Sequence, residues 1–171
     1  TAKGHSQTLV NALRGFLHQT QAPKEIILIG DTQTLHDAKK VLSHNELKQV
    51  ILVPFNGLKN DARNTGFTNA NGTHVLFSDH DMVPQHTLIE ECEKLIKKYD
   101  ALIIPEQGPN QGTYLQRVYA LEKKLVMTDP ASLTPRLFRK NLFANGQLPF
   151  NNRFGILDEW GFYAMLKKAL P

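Results

Sequence analysis

The sequence predicts an α/β fold, a three-layer α/β/α sandwich around a mostly parallel central sheet, and two observations carry that prediction. Short runs rich in Ile, Leu and Val recur at 26–29, 50–53, 75–77 and 101–104, each without polar alternation and each followed by turn or polar residues. That is the pattern of strands buried on both faces. Between the runs lie stretches with apolar residues at helical period, and regular exchange of strand and helix signals places helices on both faces of a sheet. With 171 residues, 41% hydrophobic and 21% charged, the chain suits one soluble domain that buries roughly 70% of its unfolded surface without a disulfide or metal staple.

Taken in order, Leu9, Leu13, Phe16 and Leu17 predict the first helix, with Ser6 as its cap. The run Ile26–Ile29 is the first strand and leads into Gly30 and Asp31. Leu35, Ala38, Val41 and Leu42 predict the second helix, with Thr34 and Asp37 read as a capping box. The apolar run from Val50 is the second strand, and a helix starts near Lys59 and Arg63. Val75–Phe77 forms the third strand after the turn at Asn71–Gly72. Pro84 precedes a helix marked by Leu88, Ile89, Cys92, Leu95 and Ile96, and Ala101–Ile104 is the fourth strand. Beyond residue 105 come a Gly/Pro/Gln loop at 106–112, a helix over Tyr114–Val126, a short segment Pro135–Phe143 and a final helix from about Asp158. No interdomain linker appears, so residues 1–171 read as one domain whose last third packs beside the sheet.

Several classes fall away. Cys92 is the single cysteine, which excludes an intrachain disulfide and a Cys/His zinc site. No apolar run approaches the ~18 residues of a membrane span. The opening residues carry no secretory pattern, so the expected location is cytoplasmic, with any membrane association peripheral at the inner face. The formal net charge of +4 suits phosphate-bearing partners, yet the basic residues are scattered without an aromatic-interleaved stripe, and no nucleic-acid partner is expected. GxGxxG, GxxxxGK[ST] and GxSxG are all absent.

The sharpest chemical feature is FSDHDM at 77–82, an apolar strand running into Asp79, His80 and Asp81. On an extended backbone residues i and i+2 point to one side, so both carboxylates could face one Mg²⁺ or Mn²⁺ at the strand's carboxyl end, where open α/β sheets bind ligands. Two aspartates at a strand end also serve as turn formers. His80, between them, points the other way and reads as a bystander. Lys59 and Arg63 near a helix start sit against the helix dipole, which a nearby phosphate would explain and a solvated helix face explains almost as well.

Upstream of that pair stands KNDARNTGFTNANG at 59–72. From Ala62 to Asp81 the chain resembles the family 2 glycosyltransferases of the GT-A fold, whose pattern is roughly ARNxGxxxAxGxxxxFxDxD. The opening through Asp31 is similar to the family's first helix and second strand, with Thr1 where the first strand has just ended, so that strand is expected to be missing. Residues 137–162 are similar to its acceptor-side block, and 106–135 match least.

The resemblance implies a nucleotide-binding half at 1–105 and an acceptor-side half at 106–171. It implies that Asp79 and Asp81 hold Mn²⁺ or Mg²⁺ and the diphosphate, that Asp31 lies near the nucleotide base or ribose, and that Arg63 lies close to the same nucleotide; Lys59 joins them as a candidate on its charge alone. Asp158 and Glu159 occupy the position of the family's acidic pair, Glu159 taking the place of the general base; an acid in a first helical turn also caps free N–H groups. Trp160 is either a wall for the acceptor sugar or core. The implied reaction is metal-assisted transfer of sugar from a nucleotide-diphosphate sugar, a UDP-sugar first, to the hydroxyl of a carbohydrate, lipid-linked or other acceptor, with inversion. The alternative is a non-catalytic nucleotide-sugar-binding or interaction domain derived from such an enzyme, which the reversed order of the acidic pair and the missing strand favour.

Overall fold

A computed structural model describes residues 6–108, 112–126, 133–143, 146–151, 161–162 and 164–166. Helices α1 (Ser6–Leu17), α2 (Thr32–Val41), α3 (His44–Leu47), α4 (Lys59–Asn69), α5 (Leu88–Leu95) and α6 (Tyr114–Val126) alternate with strands β1 (Ile26–Gly30), β2 (Val50–Pro54), β3 (His74–Leu76), β4 (Ala101–Leu102) and β5 (Leu137–Arg139). A 3₁₀ turn spans Lys140–Phe143, and residues 161–162 and 164–166 are helical. Among the described residues no helix is long and apolar enough to cross a membrane.

The expected single, mostly parallel sheet is corrected. β1 and β2 pair in parallel, Ile26 opposite Val50 through Gly30 opposite Pro54. β3 and β4 instead flank β5, each antiparallel to it, with Val75 and Ala101 both opposite Phe138. An apolar run reports burial on both faces and says nothing of pairing direction, and a three-residue strand such as Leu137–Arg139 is too short to show a period. Among the described residues no ladder joins the two sheets.

Side chains join them. Ile26 and Leu28 of β1 face Leu9, Leu13, Leu35 and Ala38 of α1 and α2. Ile27 faces the other way, into an aromatic layer with Phe67 of α4, Val75, Phe77 and Phe138. Leu76, Leu102 and Leu137 point to the opposite face and meet Cys92 and Ile96 beside α5. Period-two alternation along each strand thus gives helices on both sides, the three layers expected from the sequence. Phe138, fully buried, is the hub of the aromatic layer, with ring centroids 5.1 Å from Phe162, 5.4 Å from Phe143 and 5.6 Å from Phe77.

Caps differ from expectation. Ser6 is the first helical residue described rather than a cap. Asp31 caps α2, accepting the Thr34 N–H at 2.8 Å, so the helix starts before the Thr34–Asp37 pair. A true capping box, Ser43 with Glu46, opens α3; the Glu46 carboxyl is held down at about 2 by hydrogen bonds from Ser43, with Arg14 adding to them.

Helix α4 sets the direction of the strands. Its carboxyl end lies at the amino ends of β1 and β3, where Glu25 accepts the N–H groups of Asn71 and Gly72 at 2.5 and 3.0 Å and Lys24 donates to the Asn71 carbonyl at 3.1 Å. Running antiparallel to both strands, α4 brings its first turns to their carboxyl ends. Asp31 after β1 and Asp79 after β3 therefore leave the molecule on one edge.

Candidate functional site

Asp79 is the centre of a charged cluster at that edge. Arg63, one turn into α4 and with only 10% of its side chain exposed, donates from Nη2 to Asp79 Oδ1 at 3.2 Å. Arg136, at the start of β5, places Nη1 3.6 Å from Asp79 Oδ2, an ion pair longer than a hydrogen bond. Glu106 anchors Arg136 through Oε1, which accepts from Nε at 3.0 Å and from Nη2 at 2.6 Å. Burial pushes the Asp79 carboxyl up, but the charges of Arg63, Arg136 and Lys59 outweigh it and hold the group below its usual range. Asp79 is thus a carboxylate ringed by cations.

The two-aspartate geometry differs from the extended arrangement expected. β3 stops at Leu76, and the Met82 N–H donates to the Asp79 carbonyl at 3.2 Å, folding 79–82 into a turn. The i, i+2 rule holds only on extended backbone. Asp79 faces the arginines while Asp81 is exposed, and His80 is half-buried between them. Among the described residues no group of three His, Cys, Asp or Glu side chains could enclose a metal ion. The donors present still fit a hard cation: Asp79 is ionised, Asp81 offers open carboxylate oxygens, and Mg²⁺ or Mn²⁺ commonly takes one or two carboxylates and completes its shell with phosphate oxygens.

The turn is pinned from behind. A Cβ on Gly15 of α1 would sit 2.6 Å from Pro84 Cδ, so only glycine lets the loop after Asp81 approach so closely. Buried Gln19 donates to the carbonyls of Gly15 and Gln85 at 2.8 and 2.7 Å and accepts the Ile89 N–H at 3.0 Å.

Lys59 and Arg63 lie one turn apart on α4, and Lys59 is exposed beside the cluster. Asp31 sits at the end of β1 with Oδ1 engaged in capping. Asp158, Glu159 and Trp160 lie outside the described residues, but the chain on either side is fixed. Asn64 of α4 donates to the Phe150 carbonyl at 2.8 Å and accepts its N–H at 3.1 Å, and Asn60 donates to the Asn151 carbonyl at 3.4 Å. The Arg63 guanidinium lies 5.1 Å from the Phe150 ring centre, and that ring stacks on Phe162 at 4.8 Å. Asn64→Ala would leave both Phe150 backbone groups buried without their partner; unfolding in urea should show a loss of roughly 2–5 kcal/mol, and a loss below about 1 kcal/mol would mean other contacts fix this segment.

Sequence reasoning did not single out Arg136, Glu106, Gln19 or the bridging role of Asn64. The only signal for the first two was slight: Glu106 stands two residues past the run Ala101–Ile104, and Arg136 directly precedes Leu137 and Phe138.

The family model described as Glycosyl transferase family 2 matches residues 1–170. No curated protein matches the chain. Among solved structures the fold is similar to S. aureus TarS 1–349, with TM-score 0.67 and 21% identity over 98% of this chain and 52% of that one. It is similar to the same protein in complex with UDP, with TM-score 0.66 and 21% identity over 96% and 52%. It also resembles S. aureus TarS, with TM-score 0.64 and 22% identity over 95% and 31%. The chain spans about half the length of these structures or less.

Proposed function

The chain belongs to glycosyl transferase family 2, and from that membership we propose that it transfers a sugar from a nucleoside-diphosphate sugar, with a UDP-sugar as donor, to an acceptor hydroxyl with inversion at the anomeric carbon. One observation carries the reading: an ionised Asp79 gathered with Arg63, Arg136 and Lys59 at the carboxyl edge of the strands, where α/β folds bind nucleotides. The UDP complex of the structurally similar TarS agrees with the choice of base.

In this mechanism residues 1–105 supply most of the donor site, Arg136 reaches the same cluster from the 106–171 half, and the rest of that half presents the acceptor. Lys59 and Arg63 supply positive charge to the diphosphate, and Asp31 lies toward the base or ribose. Asp79 and Asp81 would hold Mn²⁺ or Mg²⁺, which when bound supplies Lewis-acid charge to the leaving diphosphate. Glu159, with Asp158 beside it, takes the proton of the acceptor hydroxyl as its oxygen forms the new bond to the anomeric carbon. The diphosphate leaves from the opposite face, and the configuration inverts.

Calorimetric titration of UDP, GDP and their sugar conjugates, with and without Mn²⁺, tests the donor assignment. Saturable binding of uridine nucleotides, strengthened by Mn²⁺, is the expected result. A folded protein that binds no nucleotide would overturn the reading.

A further inference from the structure

Arg136 is held more firmly than a strand end requires. Its N–H donates to the Leu102 carbonyl at 3.0 Å and its carbonyl accepts the Phe77 N–H at 2.8 Å, so its backbone is bound by chain on both sides, at the carboxyl ends of β4 and β3. Phe138, two residues on, is locked in the aromatic core. The side chain is therefore not needed to seat β5, yet it is kept only 17% exposed against an 11% exposed Glu106. Partly burying an ion pair for structure alone brings little stability over apolar packing. Glu106 grips Nε and Nη2 together, which turns the guanidinium plane so that Nη1 faces the Asp79 carboxylate. Arg63 meets the other oxygen of the same carboxylate. Two guanidiniums thus converge from α4 and β5 on one anionic group, with the fork geometry that suits phosphate oxygens.

We propose that Arg136 is a donor-binding residue which, with Arg63, clamps the terminal phosphate of the nucleoside diphosphate from the side opposite α4, and that Glu106 is the positioning residue that aims it. This rests on reading the site as one for a nucleoside-diphosphate sugar. Asp79 keeps the two cations together before the donor arrives, and the diphosphate then takes up their facing N–H groups.

The test compares UDP with UMP by calorimetry in the wild-type protein and in Arg136→Gln, Arg136→Lys and Arg139→Gln. Arg139 lies at the opposite end of β5, paired with Asp100 at 2.8 Å, and its loss removes the same charge away from the cluster. The wild type should prefer UDP to UMP. Arg136→Gln should lose roughly 10- to 100-fold in UDP affinity while UMP affinity stays within about twofold, collapsing the preference. Arg136→Lys, which keeps the charge without the fork, should fall between, and Arg139→Gln should keep the wild-type ratio. Thermal melting establishes that each variant is folded, and should Arg136→Gln fail to fold, Arg136→Lys alone decides the matter by the same ratio. An unchanged UDP-to-UMP ratio, or equal weakening of both ligands, would overturn the clamp while leaving the donor reading intact. A wild type that binds neither nucleotide would instead remove the donor reading, and the clamp with it.

Discussion

Asp79→Asn is expected to abolish the Mn²⁺-dependent part of UDP binding and to lower sugar transfer by about 10²- to 10³-fold, the scale seen when one preorganised charge-stabilising group is removed. The substitution keeps size and shape, so turn 79–82, held by the Asp79 carbonyl, survives. What changes is charge: the carboxylate that Arg63, Arg136 and Lys59 hold ionised becomes neutral. Two guanidiniums then face each other without the shared counter-charge, so UDP binding without metal should persist or tighten even as the metal increment disappears. That opposite response separates loss of a cation ligand from general damage to the site. Equal weakening of UDP binding with and without Mn²⁺ would place Asp79 in scaffolding alone. Parallel measurements on Asp81→Asn bear on the second carboxylate, whose exposed position in the turn predicts a smaller stability change than at Asp79.

How far this site could be read from residues alone depended on whether its parts were local. Asp79, Arg63 and Lys59 lie within one stretch of about twenty residues, and their gathering follows from a helix running back along the strand it precedes. β1, β2 and α6 were legible for the same reason, since an apolar run or a helical period is complete within its own window. Glu106 and Arg136 are thirty residues apart, with nothing between them that predicts their contact. They meet because β5 slips between β3 and β4, a pairing that a three-residue strand cannot announce. The Asp79–Asp81 turn was hidden by a different cause: the strand ends at Leu76, one residue before its apolar run does and three before Asp79, and only tertiary hydrogen bonds decide where a strand stops. Likewise nothing in the Ala-Arg-Asn stretch announces that Asn64 bridges both backbone groups of Phe150, 86 residues away.

Glu159→Gln is expected to lower transfer by about 10²- to 10⁴-fold, the usual worth of a positioned general base, while leaving UDP affinity unchanged. The described residues on either side of this segment pack beside the charged cluster. Phe162, 2% exposed, stacks on Phe150 at 4.8 Å, and the Phe150 ring in turn lies under Arg63 and edge-on to Phe77 at 4.9 Å. Residue 151 and residue 161 are therefore anchored to one aromatic layer two residues upstream of Asp79. Asp158→Asn is the necessary partner experiment, because the pair stands in the reverse of the family's usual order. If Glu159 is the base, Asp158→Asn should cost less than about tenfold, the scale of one supporting hydrogen bond. The opposite ranking would move the base to Asp158. Equal activity of both variants with wild type, at unchanged donor binding, would support the non-catalytic alternative only if wild type itself transferred no sugar; with transfer intact it would mean that another group takes the proton.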